Sequence, residues 1–216
     1  MPRFQTVVFD FDGTIASTLP LIYRVFNAVL EPRIGKRIPD AELRSHFGPP
    51  DNVILGHYVG EEEQASAFEE YIALYERDHN DYVHLFEGMR EILVDLKAAG
   101  TRIGVMTGKS RVSAQISLRE LGIDDLIAVL VAGDDVVMPK PHPEGIIAAL
   151  AQLGHPDEET GAMVGDSAAD IYAGRDAGVT TIGVTWGVPE HEDLFAAHPD
   201  VVCETTAQLR TELGLD

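Results

Sequence analysis

Asp10 and Asp12 close an apolar run, in the order Val7-Val8-Phe9-Asp10-Phe11-Asp12-Gly13-Thr14. Side chains two apart in an extended chain share a face, so the two carboxylates stand together while Phe11 turns away. Gly13 then lets the chain turn sharply with no Cβ in the way. Two neighbouring carboxylates repel unless a proton or a cation comes between them. That suits a division of labour, one staying ionised as nucleophile or metal ligand while the other keeps a proton as general acid. An exposed Asp-Gly turn would show the same letters, but an apolar strand running straight into two acids argues for the chemical use.

A second acidic pair, Asp166 and Asp170, follows the apolar stretch Ala162-Met163-Val164. If a helix starts near Ser167, both acids lie at its entrance, where hard oxygen ligands suit Mg²⁺. Ser167-x-x-Asp170 is also a capping-box pattern, so Asp170 could serve the helix start alone; Asp166 precedes the helix and has no such use. Lys140 stands between Pro139 and Pro141, on a backbone with little freedom, which presents its ammonium at low entropic cost. The chain has only four lysines, Lys36, Lys97, Lys109 and Lys140, so this one stands out from a solvated surface charge. The stretch from Gly104 to Ser110 ends in Gly-Lys-Ser like a nucleotide-binding P-loop. That pattern needs four residues between its glycines, and only Val105, Met106 and Thr107 separate Gly104 from Gly108.

The elements that must hold these groups alternate regularly over most of the chain. Strand patterns fall at 6–10, 102–107, 127–132, 162–166, 180–184 and 201–203, and helical patterns at 88–99, 111–121, 143–153, 168–177 and 206–213. Gly100, Gly122 and Gly178 follow helix ends, and Thr205 with Gln208 forms a capping box. Short apolar strands alternating with helices predict an α/β fold, a Rossmann-like parallel sheet covered on both faces. From residue 16 to 87 the rhythm breaks into helices with no convincing strand. The clearest spans 61–79, with Ala65, Phe68, Ile72 and Tyr75 at helical spacing and Glu61, Glu62, Glu63, Glu69 and Glu70 as its solvated face. The expected organisation is a core of residues 1–15 and 88–216 with an α-helical cap, 16–87, inserted after the first strand. In parallel sheets the ligand crevice lies beyond the carboxyl ends of the strands, so motifs at four such ends converge on one place.

Bulk properties narrow the partners. The 216 residues are 45% hydrophobic with a formal net charge of −20. Such a balance argues against nucleic acid and anionic membranes as partners, and an anionic substrate would need local positive charge or a metal. Cys203 is the only cysteine, which excludes an intrachain disulfide and a cysteine-rich metal site. The first apolar run is interrupted at Asp10 and no later run could span a bilayer, so a cytoplasmic protein is expected.

The four motifs, in this order and with a helical insertion after the first, resemble the haloacid dehalogenase superfamily of phosphotransferases over essentially the whole chain. The resemblance implies that Asp10 is the nucleophile and that Asp12 protonates the leaving group and later activates water. It implies that Thr107 and Lys140 hold the phosphoryl oxygens, with Gly108 offering a backbone donor where the family often has Asn. It also implies a Mg²⁺ site of Asp10, the Asp12 carbonyl and Asp166, supported by Asp170. Lys109 then adds positive potential and Ser110 caps the next helix. Dehalogenases of the superfamily lack an acid at position 12, because a halide leaving group needs no proton, so Asp12 favours phosphoryl transfer. Phe47-Gly48-Pro49-Pro50, Ala132-Gly133-Asp134-Asp135-Val136 and Gly183-Val184-Thr185-Trp186-Gly187 look most like the phosphoglycolate phosphatase group, including its bacterial pyrophosphatases. Where the family often has Asp, this chain has Ser17, which can still cap the following helix. The implied partner is a small phosphorylated metabolite, with residues 48–50, Arg24 and His46 as candidate specificity determinants. A sugar-phosphate mutase shares the whole constellation and would show sugar-bisphosphate dependence. A non-catalytic phosphoryl receiver would need no cap and would keep its phosphate, and an ATP-binding module would be stabilised by ATP.

Overall fold

The computed structural model describes residues 2–154, 160–187 and 190–216; Met1, 155–159 and 188–189 of the expected core lie outside the described residues. Six strands form one parallel sheet among them: β1 Thr6–Phe9, β4 Arg102–Met106, β5 Val129–Val131, β6 Gly161–Gly165, β7 Thr180–Val184 and β8 Val201–Cys203, in the order β5-β4-β1-β6-β7-β8. Thr6 of β1 pairs with Arg102 on one side and Gly161 on the other, which puts β1 at the centre. The chain builds outwards from β1 through β4 to β5, then crosses back to start the other half at β6. This reversal beside β1 is where a parallel sheet opens a crevice.

Helices cover both faces: α5 Met89–Ala98, α6 Arg111–Glu120, α7 Glu144–Gln152, α8 Ala168–Asp176, α9 Glu192–Ala196 and α10 Thr206–Glu212. The period of two along β1 sorts its side chains between the layers. Val7 and Phe9 enter the layer shared with Leu93 of α5 and Leu209 of α10, and Val8 enters the one shared with Ile146 of α7 and Ala173 of α8. Gly104 lies inside β4, where a Cβ would stand 3.0 Å from Leu153 Cδ1, so it serves close packing rather than a loop.

The insertion holds α1 Leu19–Ile34, α2 Asp40–Ser45, α3 Asp51–Val59 and α4 Glu61–Tyr82. Contrary to expectation it also contains strand, because β2 Ala16–Ser17 and β3 His84–Leu85 pair antiparallel at its two ends. Strands of two residues are too short to display alternation in sequence. The ribbon also takes Ser17 out of the capping role; α1 begins after Thr18, whose side chain does not cap it. In α4 the buried face is Ala67, Tyr71, Tyr75, Asp78 and His79, rotated from the expected stripe, with Ala65 exposed and Phe68 and Ile72 half-buried. The shift arises because α4 packs against α1, α3 and α6 together, and its buried polar side chains find partners there. The five predicted surface glutamates are exposed, and Arg33 pairs with Glu63 and Glu70. No helix among the described residues is long and apolar enough to cross a membrane.

Candidate active site

The carboxyl ends of β1, β4 and β6 and the loop before α7 meet the insertion at a cavity of about 300 Å³. Asp10 sits just past β1 and still donates its N–H to Val164 O at 2.8 Å, so the sheet fixes its backbone. Its carboxylate pairs with Lys140 Nζ at 2.8 Å, and the same ammonium reaches Asp170 Oδ1 at 2.6 Å and donates to Met106 O at 3.2 Å. The Lys140–Pro141 peptide bond is cis. Burial pushes the Asp10 carboxyl up to about 7; Lys140 pulls against that while Asp170 and Asp12 add to it. Burial alone would lower the Lys140 ammonium, but the facing carboxylates outweigh it and hold the group charged.

Asp166 follows β6 and lies on the cavity wall. It is partly open to the cavity, yet desolvation and the neighbouring Asp10 and Asp170 raise its carboxyl well above the usual range. Gly13, at φ +81°, permits this approach: a Cβ there would lie 2.3 Å from Asp166 Oδ2. Thr14 Oγ1 donates to Asp166 Oδ1 at 3.3 Å, and Trp186 Nε1 holds the turn through Thr14 O at 3.1 Å. Asp170 is fully buried. It completes the capping box with Ser167 and grips Lys140 as well, so both uses read from its position coexist.

Asp10, Asp166 and Asp170 bring one carboxylate oxygen each within 4.8 Å of one another. With all groups ionised, three carboxylates and the Lys140 ammonium leave two negative charges, which a divalent cation would balance. Hard oxygen donors and that residual charge fit Mg²⁺. The Asp12 side chain is not part of this cluster. Thr18 Oγ1 donates to Asp12 Oδ1, and Lys109 Nζ lies 3.2 Å from the same oxygen. The two acids of the first motif are thus separated by environment, Asp10 facing Lys140 and Asp12 facing Lys109.

Lys109 is more than the source of positive potential that its sequence position suggested. It is 3% exposed, its ammonium lies 4.7 Å from the Tyr75 ring centroid, and its charged form is favoured by Asp12 against the cost of burial. The signal was the scarcity of lysine; the partner, Tyr75, comes from the insertion and was not readable. Thr107 is fully buried, its hydroxyl accepts from Lys109 N at 3.3 Å, and Gly108 and Lys109 are the members of that loop on the cavity wall. A Cβ on Gly108 would stand 3.0 Å from Gly48 O, so the 47–50 loop closes directly over it. Ser110 caps α6 as expected.

The specificity candidates divide. Gly48 and Pro49 line the cavity. Arg24 instead pairs with Asp78 at 3.1 Å and lies over the Tyr82 ring, and His46 packs tilted against His57 and edge-on to Tyr58; neither lines the cavity. The arginine that lines it is Arg44, together with Phe47 and Asp51.

This sheet, with its acids at the ends of two neighbouring strands and a helical insertion over them, defines a class that sequence and structure comparisons identify. Residues 7–184 match the model of the haloacid dehalogenase-like hydrolases, and the chain belongs to that family. It is 32% identical over 213 residues to the pyrophosphatase PpaX of Anoxybacillus flavithermus, across 99% of this chain and 98% of the relative. It is 32% identical over 216 residues to a phosphoglycolate phosphatase of Yersinia pestis, across 97% of this chain and 93% of that one. The crystal structure of CbbY from Rhodobacter sphaeroides in complex with phosphate shares the fold at a TM-score of 0.82, with 23% identity and 98% and 100% of the two chains covered. The protein is an enzyme of the phosphatase class.

Proposed function

We propose that the enzyme is a Mg²⁺-dependent phosphatase that hydrolyses a small phosphate monoester, phosphoglycolate-like, or pyrophosphate through an aspartyl-phosphate on Asp10. The observation that carries this reading is the convergence of Asp10, Asp12, Lys140 and Asp166 on one cavity, with Lys140 Nζ 2.8 Å from Asp10 and Lys109 Nζ 3.2 Å from Asp12. The ionised Asp10 oxygen attacks phosphorus and the bond to the leaving-group oxygen breaks, with Asp12 delivering a proton to that oxygen. Asp12, now ionised, takes a proton from water; the water oxygen attacks the phosphorus of the acyl phosphate, releasing phosphate and restoring Asp10. Lys140 and the Gly108 N–H would steady the phosphoryl oxygens as charge builds on them, and Thr107, buried behind the cavity wall, would reach them only if its hydroxyl turned from the Lys109 N–H. Asp10, Asp166, Asp170 and the Asp12 carbonyl would hold Mg²⁺, which supplies charge neutralisation for two anions that must meet. Segment 16–87 acts as the cap, with Arg44, Phe47 and Gly48 facing the substrate.

The test is hydrolysis of phosphoglycolate, pyrophosphate and p-nitrophenyl phosphate with Mg²⁺ present and then chelated. Asp10→Asn is expected to lose activity on all three; near wild-type turnover by this variant would refute the nucleophile. Accumulation of a bisphosphorylated sugar instead of free phosphate would favour the mutase chemistry that the same constellation can support.

A further inference from the structure

One face of α6 carries Ser110, Ser113 and Ser117, all buried and spaced to lie in line. Opposite them the insertion places Asp51, Tyr71, Tyr75 and His79, also buried. Asp51 Oδ2 accepts from Ser110 N at 3.2 Å, Ser110 Oγ at 2.9 Å and Ser113 Oγ at 2.5 Å, while Tyr71 OH donates to its other oxygen at 3.3 Å. Ser117 Oγ bonds Tyr75 OH at 2.8 Å and His79 Nε2 at 3.0 Å. A buried seam built of polar groups is a poor choice for stability alone, since apolar residues of similar volume would serve as well or better. Helix α6 does not need Asp51 as a cap, because the Ser110 hydroxyl already accepts from Ser113 N.

What Asp51 does hold is the loop that ends at Ser110. Lys109 precedes Ser110 directly, and Gly133 N–H donates to Lys109 O at 2.8 Å from the core side. The loop is therefore clamped between core and insertion at the residue whose ammonium faces Asp12. We propose that Asp51 is a positioning residue: through Ser110 and Ser113 it fixes the 107–110 loop, and through Lys109 it sets the orientation of the Asp12 carboxylate. Its contribution falls on proton delivery to the leaving group. This inference rests on Asp12 being the general acid.

Leaving-group dependence tests it. The phenolate of p-nitrophenyl phosphate departs without help, whereas the alkoxide of phosphoglycolate needs a proton. Asp12 also serves hydrolysis of the aspartyl-phosphate, a step both esters share, so Asp51→Ala, Asp51→Asn and Ser113→Ala are compared with the parent enzyme for kcat/KM, which reports the steps through departure of the leaving group. For Asp51→Ala, kcat/KM on phosphoglycolate is expected to fall about tenfold or more, and on p-nitrophenyl phosphate less than about threefold. Asp51→Asn, which keeps an acceptor oxygen, should recover part of the loss; if Asp51→Ala does not fold, the same contrast between the two esters is read from Asp51→Asn and Ser113→Ala. In an Asp12→Asn background the Asp51 substitution should cost nothing further on phosphoglycolate. Equal losses on both esters, or an undiminished loss in that background, would overturn the positioning role while leaving the acid in place. Equal losses of kcat/KM on both esters for Asp12→Asn alone would instead refute the acid, and the inference with it.

Discussion

Removing divalent metal should destabilise the enzyme, and the amount should depend on pH in a direction the site dictates. The Asp10 carboxyl is raised from 3.8 to about 7 in the folded protein. A raised folded value means that the group's contribution to stability is present below about pH 4 and is lost as pH rises through about 7. The metal-free protein thus carries an ionised, crowded Asp10 at alkaline pH, and a bound cation relieves it. Mg²⁺ needs Asp10 deprotonated, so protons compete with it. At about pH 8 roughly nine-tenths of Asp10 is ionised, and at about pH 5.5 roughly 3% is, a ratio near 30 in apparent metal affinity. That ratio corresponds to about 2 kcal/mol, since tenfold is about 1.4 kcal/mol. For a chain of this size it shifts Tm by about 4–8 °C. Thermal melts with saturating Mg²⁺ and with chelator, at both pH values, should therefore show a Mg²⁺ stabilisation larger at the higher pH by about that much. Asp166, raised in the same direction, can only widen the gap. A Mg²⁺ effect equal at the two pH values, or one that survives in Asp166→Asn, would refute the proposed metal site and the charge reasoning behind it.

Three further outcomes follow from particular contacts. Lys140→Met removes the cation shared by Asp10 and Asp170; the metal-free variant should lose about 3 kcal/mol or more near pH 8 and less near pH 5.5, where protonation of Asp10 relieves the repulsion, as read by denaturant melts. Gly13→Ala would force a Cβ against Asp166 Oδ2 at a φ that disfavours it; it should lower Tm by on the order of 5 °C and weaken the Mg²⁺ stabilisation. Arg24→Ala should leave the KM values for phosphoglycolate and pyrophosphate unchanged, because Arg24 lies off the cavity on Asp78 and Tyr82, whereas Arg44, which lines the cavity although it also pairs with Glu190 at 2.8 Å, should on replacement by Ala raise KM by about tenfold for the preferred substrate.

What could be read from the sequence is what the chain encodes locally. The strand of Val7, Val8 and Phe9 ending in Asp10, the proline-flanked Lys140 and the capping pair Ser167 and Asp170 each declare themselves within a few residues. The parallel order of the sheet then brings those strand ends to one edge without further information. Contacts across the insertion follow a different rule. Lys109 is within the same short motif as Thr107, yet its role depends on Tyr75, which lies 34 residues earlier on α4 and reads there as an ordinary apolar helix position. Asp51 looks like a helix-starting acid after two prolines until its partners Ser110 and Ser113 are seen beside it. The Arg24 expectation failed for the same reason. A guanidinium on α1 could have reached the cavity or Asp78, and only the packing of α1 on α4 decides between them. The residues proposed to make the phosphoryl chemistry are thus local in sequence, while those proposed to tune it lie at a tertiary interface. A search for further residues that act on proton delivery should therefore begin at the seam between α6 and the insertion rather than within the four motifs.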